Sequence, residues 1–162
     1  MFQPHLLALS GPSNSGKTTT IKMVYELLLK HFKNEGKIIN VHDCLSKRAT
    51  SDIKRILTIG EFKIGIESQG DPVSHDKKHH RLRDSLPFFD KEGCHLIICT
   101  SRTKGQTVEY IKACEPKYKI IFFTKKREPL DNMKSEWSHS SQAIYKQTID
   151  LYNEFLKSSN AE

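Results

Sequence analysis

Gly11-Pro12-Ser13-Asn14-Ser15-Gly16-Lys17-Thr18 is the stretch on which the fold reading turns, because it fits the spacing Gly-x-x-x-x-Gly-Lys-Ser/Thr. Gly11 and Gly16 permit a tight turn whose successive backbone N–H groups form an anion-binding nest opening onto a helix N-terminus. Phosphate is the natural occupant of such a nest. Lys17 is then placed to set a point charge on β and γ phosphates, and Thr18 to offer its hydroxyl to the magnesium that bridges them. Ser13, Asn14 and Ser15 complete the loop, and Thr19 follows in the first turn of the helix.

The flanking residues agree with a strand, a loop and a helix in that order. His5-Leu6-Leu7-Ala8-Leu9-Ser10 reads as a short buried strand. Ile21, Val24, Tyr25, Leu28 and Phe32 then recur at helical spacing, and Gly36 is suited to stop that helix. Residues 37–42 read as a second strand with Asp43 at its carboxyl end. Residues 53–59 and 62–67 are β-like runs separated by Gly60-Glu61, a spacing for an antiparallel hairpin. Residues 74–91 have a helical pattern with Leu82, Leu86 and Phe89 on one face and Pro87 expected to kink it. Leu96-Ile97-Ile98-Cys99-Thr100 is a near-continuous apolar strand, a short helix passes through Val108 and Ile111, and residues 118–124 form another buried strand. Residues 125–140 are polar and read as a mobile connection before a final helix marked by Ile144, Tyr145, Ile149, Tyr152, Phe155 and Leu156. This alternation predicts an α/β fold with a mainly parallel sheet, helices on both faces, one antiparallel hairpin strand at an edge, and ligands at the carboxyl ends of the strands.

With 162 residues, the chain is expected to form one domain over 1–162. Its composition, 36% hydrophobic and 28% charged, is that of a globular protein, and no apolar run approaches the roughly 20 residues of a membrane span. The apolar strand at the N-terminus runs straight into the loop without a basic segment and signal core, so a cytoplasmic location and no membrane partner are expected. Cys44, Cys94, Cys99 and Cys114 show no C-x-x-C spacing, which predicts reduced, mostly buried thiols. A net charge of +7 gathers visibly in Lys77-Lys78-His79-His80-Arg81 with Arg83 and in Lys125-Lys126-Arg127. Neither cluster interleaves aromatics for base stacking, so solvated charged faces are favoured over a nucleic-acid partner.

The loop resembles the Walker A element of the P-loop nucleoside triphosphatase superfamily. The resemblance implies a three-layer P-loop fold, ATP and Mg2+ as ligands, and an acidic residue at a strand end serving the magnesium or its waters. Glu67 ends the second hairpin strand, and Glu67-Ser68-Gln69-Gly70 looks like the Asp-x-x-Gly element of many GTPases with Glu in place of Asp. On that reading Glu67 sits near the magnesium or the attacking water, Gly70 approaches the γ-phosphate, and Gln69 or Asp71 orients the nucleophile; the same residues also have ordinary turn chemistry. The Asn-Lys-x-Asp element that reads guanine is absent, which points to ATP. Arg102, after the strand ending at Thr100, is a candidate for stabilising transferred phosphate charge or for a structural cap.

The chain is also similar to small P-loop kinases, in which an acid ends the second strand and a downstream arginine binds the acceptor. Asp43 and Arg48 take comparable places, with Asp43 a candidate base toward a small-molecule acceptor or else a helix cap. His75 and His79 lack a convincing third ligand, which argues against zinc, and Trp137 reads as a packing anchor. The expectation is thus a Mg-ATP-binding protein that hydrolyses ATP or transfers its γ-phosphate. The alternatives are a small-molecule or nucleotide kinase, and a nucleotide-dependent switch acting on a protein or nucleic acid.

Overall fold

The computed structural model describes residues 1–12, 15–45, 52–69, 81–125 and 130–161, the side chains of 130–138 excepted. Alternating apolar strands and amphipathic helices give an α/β architecture. The elements run β1 (His5–Ser10), α1 (Lys17–Asn34), β2 (Ile39–Asp43), β3 (Lys54–Ile59), β4 (Phe62–Glu67), α2 (Arg81–Lys91), β5 (Leu96–Ser101), α3 (Gln106–Lys112), β6 (Lys119–Thr124) and α4 (Leu130–Asn160). They build one six-stranded sheet in the order β2-β3-β4-β5-β1-β6.

β4, β5, β1 and β6 pair in parallel, while β3 pairs antiparallel with both β2 and β4. The Gly60-Glu61 hairpin forms as expected, with Ile59 opposite Phe62. Its reversed strand is β3, and it lies inside the sheet, not at an edge; β2 caps it on the outside. Reversal has a consequence for the rim at the carboxyl ends of the parallel strands. β3 brings its first residues to the same rim where the parallel strands bring their last, so Lys54 stands opposite Glu67 and Arg55 opposite Asp43.

Strand alternation sends successive side chains to opposite faces. Leu7, Leu9, Ile64, Ile66 and Ile98 pack with Ile21, Val24, Leu28 and Phe32 of α1 and with Ile144, Leu151 and Tyr152 of α4. Leu6, Ala8, Ile97 and Cys99 pack on the other face with Leu82, Leu86 and Phe89 of α2 and Ile111 of α3. Each such side chain fully buried contributes roughly 1.5–3 kcal/mol. The central strands β1 and β5 are buried along their whole length, which explains their continuous apolar sequence. A hydrogen bond of 2.6 Å between His31 and the Tyr145 hydroxyl joins α1 to α4.

Several expectations are corrected. Residues 118–124 read as a buried strand, but β6 is an edge strand: Ile121 and Phe123 pack on one face and Ile120 on the other, each only partly buried, and Phe122 is 42% exposed. The polar connection expected over 125–140 is largely helix, since α4 begins at Leu130; a polar stretch carries no apolar stripe by which to recognise it. Pro87 lies within α2, which continues through it. Leu156 falls off the buried stripe of α4 and is exposed. Among the described residues no helix is long and apolar enough to cross a membrane.

Candidate functional site

The loop after β1 is held by its neighbours on both sides. Gly11 N–H donates to Ser101 O at 3.2 Å, the Ser10 hydroxyl to Arg102 O at 3.1 Å, and Lys125 N–H to Ser10 O at 2.7 Å. The exits of β5 and β6 therefore fix where β1 releases the chain. Within the loop the Ser15 hydroxyl donates to Pro12 O at 2.8 Å. Gly16 precedes α1 with φ 84° and ψ 21°, the left-handed region, which costs a side-chain-bearing residue about 1–2 kcal/mol. Its carbonyl accepts from both the amide and the hydroxyl of Thr20. Ser13 and Asn14 lie outside the described residues.

Lys17 opens α1 with its side chain folded back over the loop. It is 5% exposed, and its ammonium donates to Gly11 O at 2.6 Å and Pro12 O at 3.1 Å. Thr19 faces solvent. The Thr18 hydroxyl has two oxygens at 3.4 Å, Oδ1 of Asp52 and the carbonyl of Ser68. Both distances are long for an O–H···O bond.

Ser68, just past the end of β4, gathers four segments. Its N–H donates to Ile53 O at 3.0 Å, and its hydroxyl oxygen accepts from Ile53 N–H at 2.8 Å. That hydroxyl donates in turn to Asp52 Oδ1 at 2.9 Å, and Ser68 O accepts from Thr100 Oγ1 at 3.0 Å. Asp52 was not among the residues singled out from the sequence. Acids were sought after strands, whereas Asp52 precedes one, and only the reversal of β3 brings it to this rim.

Glu67 is on the same rim but turned to the α2 face. It is 0% exposed and accepts from Gln69 N–H at 3.0 Å, the Ser85 hydroxyl at 2.9 Å and Arg81 Nε at 3.0 Å. Burial pushes its carboxyl above the ordinary range, against the lowering effect of Arg81 and the two hydrogen bonds. Arg81, the first residue of α2, also donates to Gln69 Oε1 at 2.8 Å. It belongs to this buried network and not to a solvated basic face. Lys125, 1% exposed against the loop, departs from that expectation in the same way.

Arg102 has an exposed side chain beside the loop, while its backbone is fixed by Ser10, Ser101 and Thr107. Asp43 is elsewhere. It ends the outer strand β2, four positions across the sheet from β1 or roughly 19 Å at usual strand spacing. Its Oδ1 accepts from Leu45 N–H at 3.1 Å, and it pairs with Arg55 at 3.7 Å, whose guanidinium covers the Tyr25 ring. The structure thus brings together Gly11, Ser15, Gly16, Lys17, Thr18 and the backbone of Arg102, and leaves Asp43 and the Glu67 carboxylate apart from them. Arg48, Gly70, Asp71, His75, residues 77–80, Lys126 and Arg127, and the side chain of Trp137, lie outside what is described.

No family model, curated protein or solved structure matches this chain. What defines its class is the molecule itself: an α/β protein with a mostly parallel six-stranded sheet and a glycine-flanked loop joining its first strand to its first helix. Among the described residues no three His, Cys, Asp or Glu side chains gather as a metal site. A hard cation shared with a phosphate needs fewer, because Mg2+ keeps waters and takes one or two protein oxygens.

Proposed function

We propose that this protein has the three-layer P-loop fold and binds Mg-ATP, hydrolysing it or transferring its γ-phosphate. The observation that carries the reading is Lys17, a buried ammonium folded onto the carbonyls of its own loop at the mouth of a helix. A phosphate entering that loop offers charged acceptors, and charge-assisted hydrogen bonds are about twice as strong as neutral ones. Backbone N–H groups at the start of α1 add to the attraction.

The oxygens around Thr18 suit magnesium: a hydroxyl, a carboxylate and a carbonyl, with no soft donor among them. When bound, the ion supplies charge neutralisation for the β and γ phosphates. The chain's own contribution is to hold the phosphates with Lys17 and the loop amides, and to present Thr18 to the ion. The exposed side chain of Arg102 stands at the next strand end, where it can meet transferred phosphate charge. ATP is preferred over GTP because no Asn-Lys-x-Asp element of the kind that reads guanine follows β5 or β6 in the sequence.

Calorimetric titration with Mg-ATP and Mg-GTP, run beside phosphate release and with Lys17→Ala as control, tests this. Binding of ATP that the variant loses is the expected result. Absence of binding by the wild type, or equal binding by the variant, would overturn it.

A further inference from the structure

A magnesium nucleotide at this loop needs protein oxygen beside the Thr18 hydroxyl, and two carboxylates stand on that rim. They differ in direction. On β4, Ile66 points to the core beneath α1, so Glu67, the next residue, points to the opposite face beneath α2. Both of its oxygens are engaged there, and its charge is answered by Arg81 at 3.0 Å. Moving it to Thr18 would break that buried ion pair and leave the Arg81 guanidinium without its counter-charge, which is strongly unfavourable in a buried setting.

Asp52 lies on the Thr18 side of the rim. Its Oδ1 lies 3.4 Å from Thr18 Oγ1, and Ser68 O lies at the same distance from that hydroxyl. Adjacent oxygens around an octahedral Mg2+ with bonds of 2.0–2.1 Å are about 3 Å apart, so a few tenths of an ångström separate the observed spacing from a coordinating one. Ser68 also orients the acid. Because Ile53 N–H donates to the Ser68 hydroxyl oxygen, the hydroxyl proton is directed to Asp52 Oδ1, which holds that oxygen at the rim beside Thr18.

We infer that Asp52, not Glu67, is the carboxylate that serves the divalent cation of a bound nucleotide, and that Glu67 with Arg81 is a positioning pair that seats α2 against the rim. The inference rests on the Mg-ATP reading above. It departs from the sequence expectation that the strand-ending acid holds the metal.

The test compares ATP affinity in EDTA and in Mg2+ for the wild type, Asp52→Asn and Glu67→Gln, with Mn2+ paramagnetic resonance of the Mn-ATP complex as a second readout. Asp52→Asn keeps an acceptor for the Ser68 hydroxyl. It is expected to leave affinity in EDTA unchanged while lowering the gain from Mg2+ about tenfold and altering the Mn2+ spectrum. Glu67→Gln is expected to keep both. A full Mg2+ gain and an unchanged spectrum in Asp52→Asn, or their loss in Glu67→Gln alone, overturns the inference. Wild-type protein that binds ATP equally with and without Mg2+ overturns the metal assignment but not nucleotide binding, whereas no binding in either condition overturns both. Iron-directed cleavage of the wild type, with Fe2+ and ATP in the presence of ascorbate and hydrogen peroxide, needs no variant: cuts near 18 and 52 are expected, and a cut near 18 without one near 52 overturns the assignment.

Discussion

The carbonyl of Lys125 presses against the α-carbon of Gly11 so closely that a methyl group there would lie 2.7 Å from the oxygen and 3.0 Å from Ser15 Oγ. Gly11 is therefore required by the exit of β6 as well as by the loop. Gly11→Ala should force the two strand exits apart, lowering stability by about 1–3 kcal/mol, as overpacking does. Chemical denaturation measures the loss, and nucleotide titration should show weakened binding; a variant with wild-type stability would place the two strand ends farther apart than described.

Lys17→Met replaces a buried ammonium with an apolar chain of similar length. Removing the charge relieves its desolvation, so the melting temperature should hold or rise, while ATP affinity should fall about tenfold or more. Thermal melts and calorimetry on the same samples check both. A variant that unfolds would make Lys17 a structural residue of the loop first.

Glu67 gives a pH dependence with a definite sign. Its folded carboxyl is raised above the ordinary value by burial, so the proton is held more tightly in the folded state than in the unfolded one. The stability this contributes is fully present below the unfolded value and is lost as pH rises through the folded one. Since Gln does not titrate, the melting temperature of the wild type minus that of Glu67→Gln should decrease on going from about pH 4 toward neutrality. A difference that grows with pH would mean that Arg81 outweighs burial.

The four cysteines should be slow to react. Cys94 and Cys99 are buried and Cys44 and Cys114 half-buried, and burial raises all four thiols, Cys94 to about 12. The thiolate is the nucleophile, so native protein near pH 8 should react with a disulfide reagent far more slowly than denatured protein. One fast thiol in the native state would single out a site more exposed than any of these.

Much of the fold was legible because period and burial coincide. β1 and β5 are short apolar runs that end as uncovered backbone gives way to the loop, α1 repeats its apolar residues at 3.6, and the Gly60-Glu61 turn announces β3 and β4. The glycine-flanked loop between β1 and α1 was legible for a similar reason, since the residues that shape it are consecutive. What could not be read is long-range. Nothing local tells that β3 lies inside the sheet, that Arg81 turns inward to Glu67, or that Asp52 meets Thr18 across 34 positions of chain. Charge runs mislead for the same reason: Lys125 and Arg81 look like solvent-facing residues until the sheet supplies what they pack against. The first turns of α4 are polar in sequence and so show no apolar stripe from which a helix could be read.

Ser68 ties Ile53 by a reciprocal pair of bonds, receives Thr100, and stands at Thr18, so segments from α1, β3, β4 and β5 meet at one residue. None of these links is local, and a fragment that stops before β5 lacks one of them. This rim is thus assembled only when the sheet is, so anything held at Thr18 would couple to the strands that carry Ile53 and Ser68. In amide exchange this should appear as nucleotide-induced slowing at Ile53 and Ser68, two positions that need not touch the nucleotide at all.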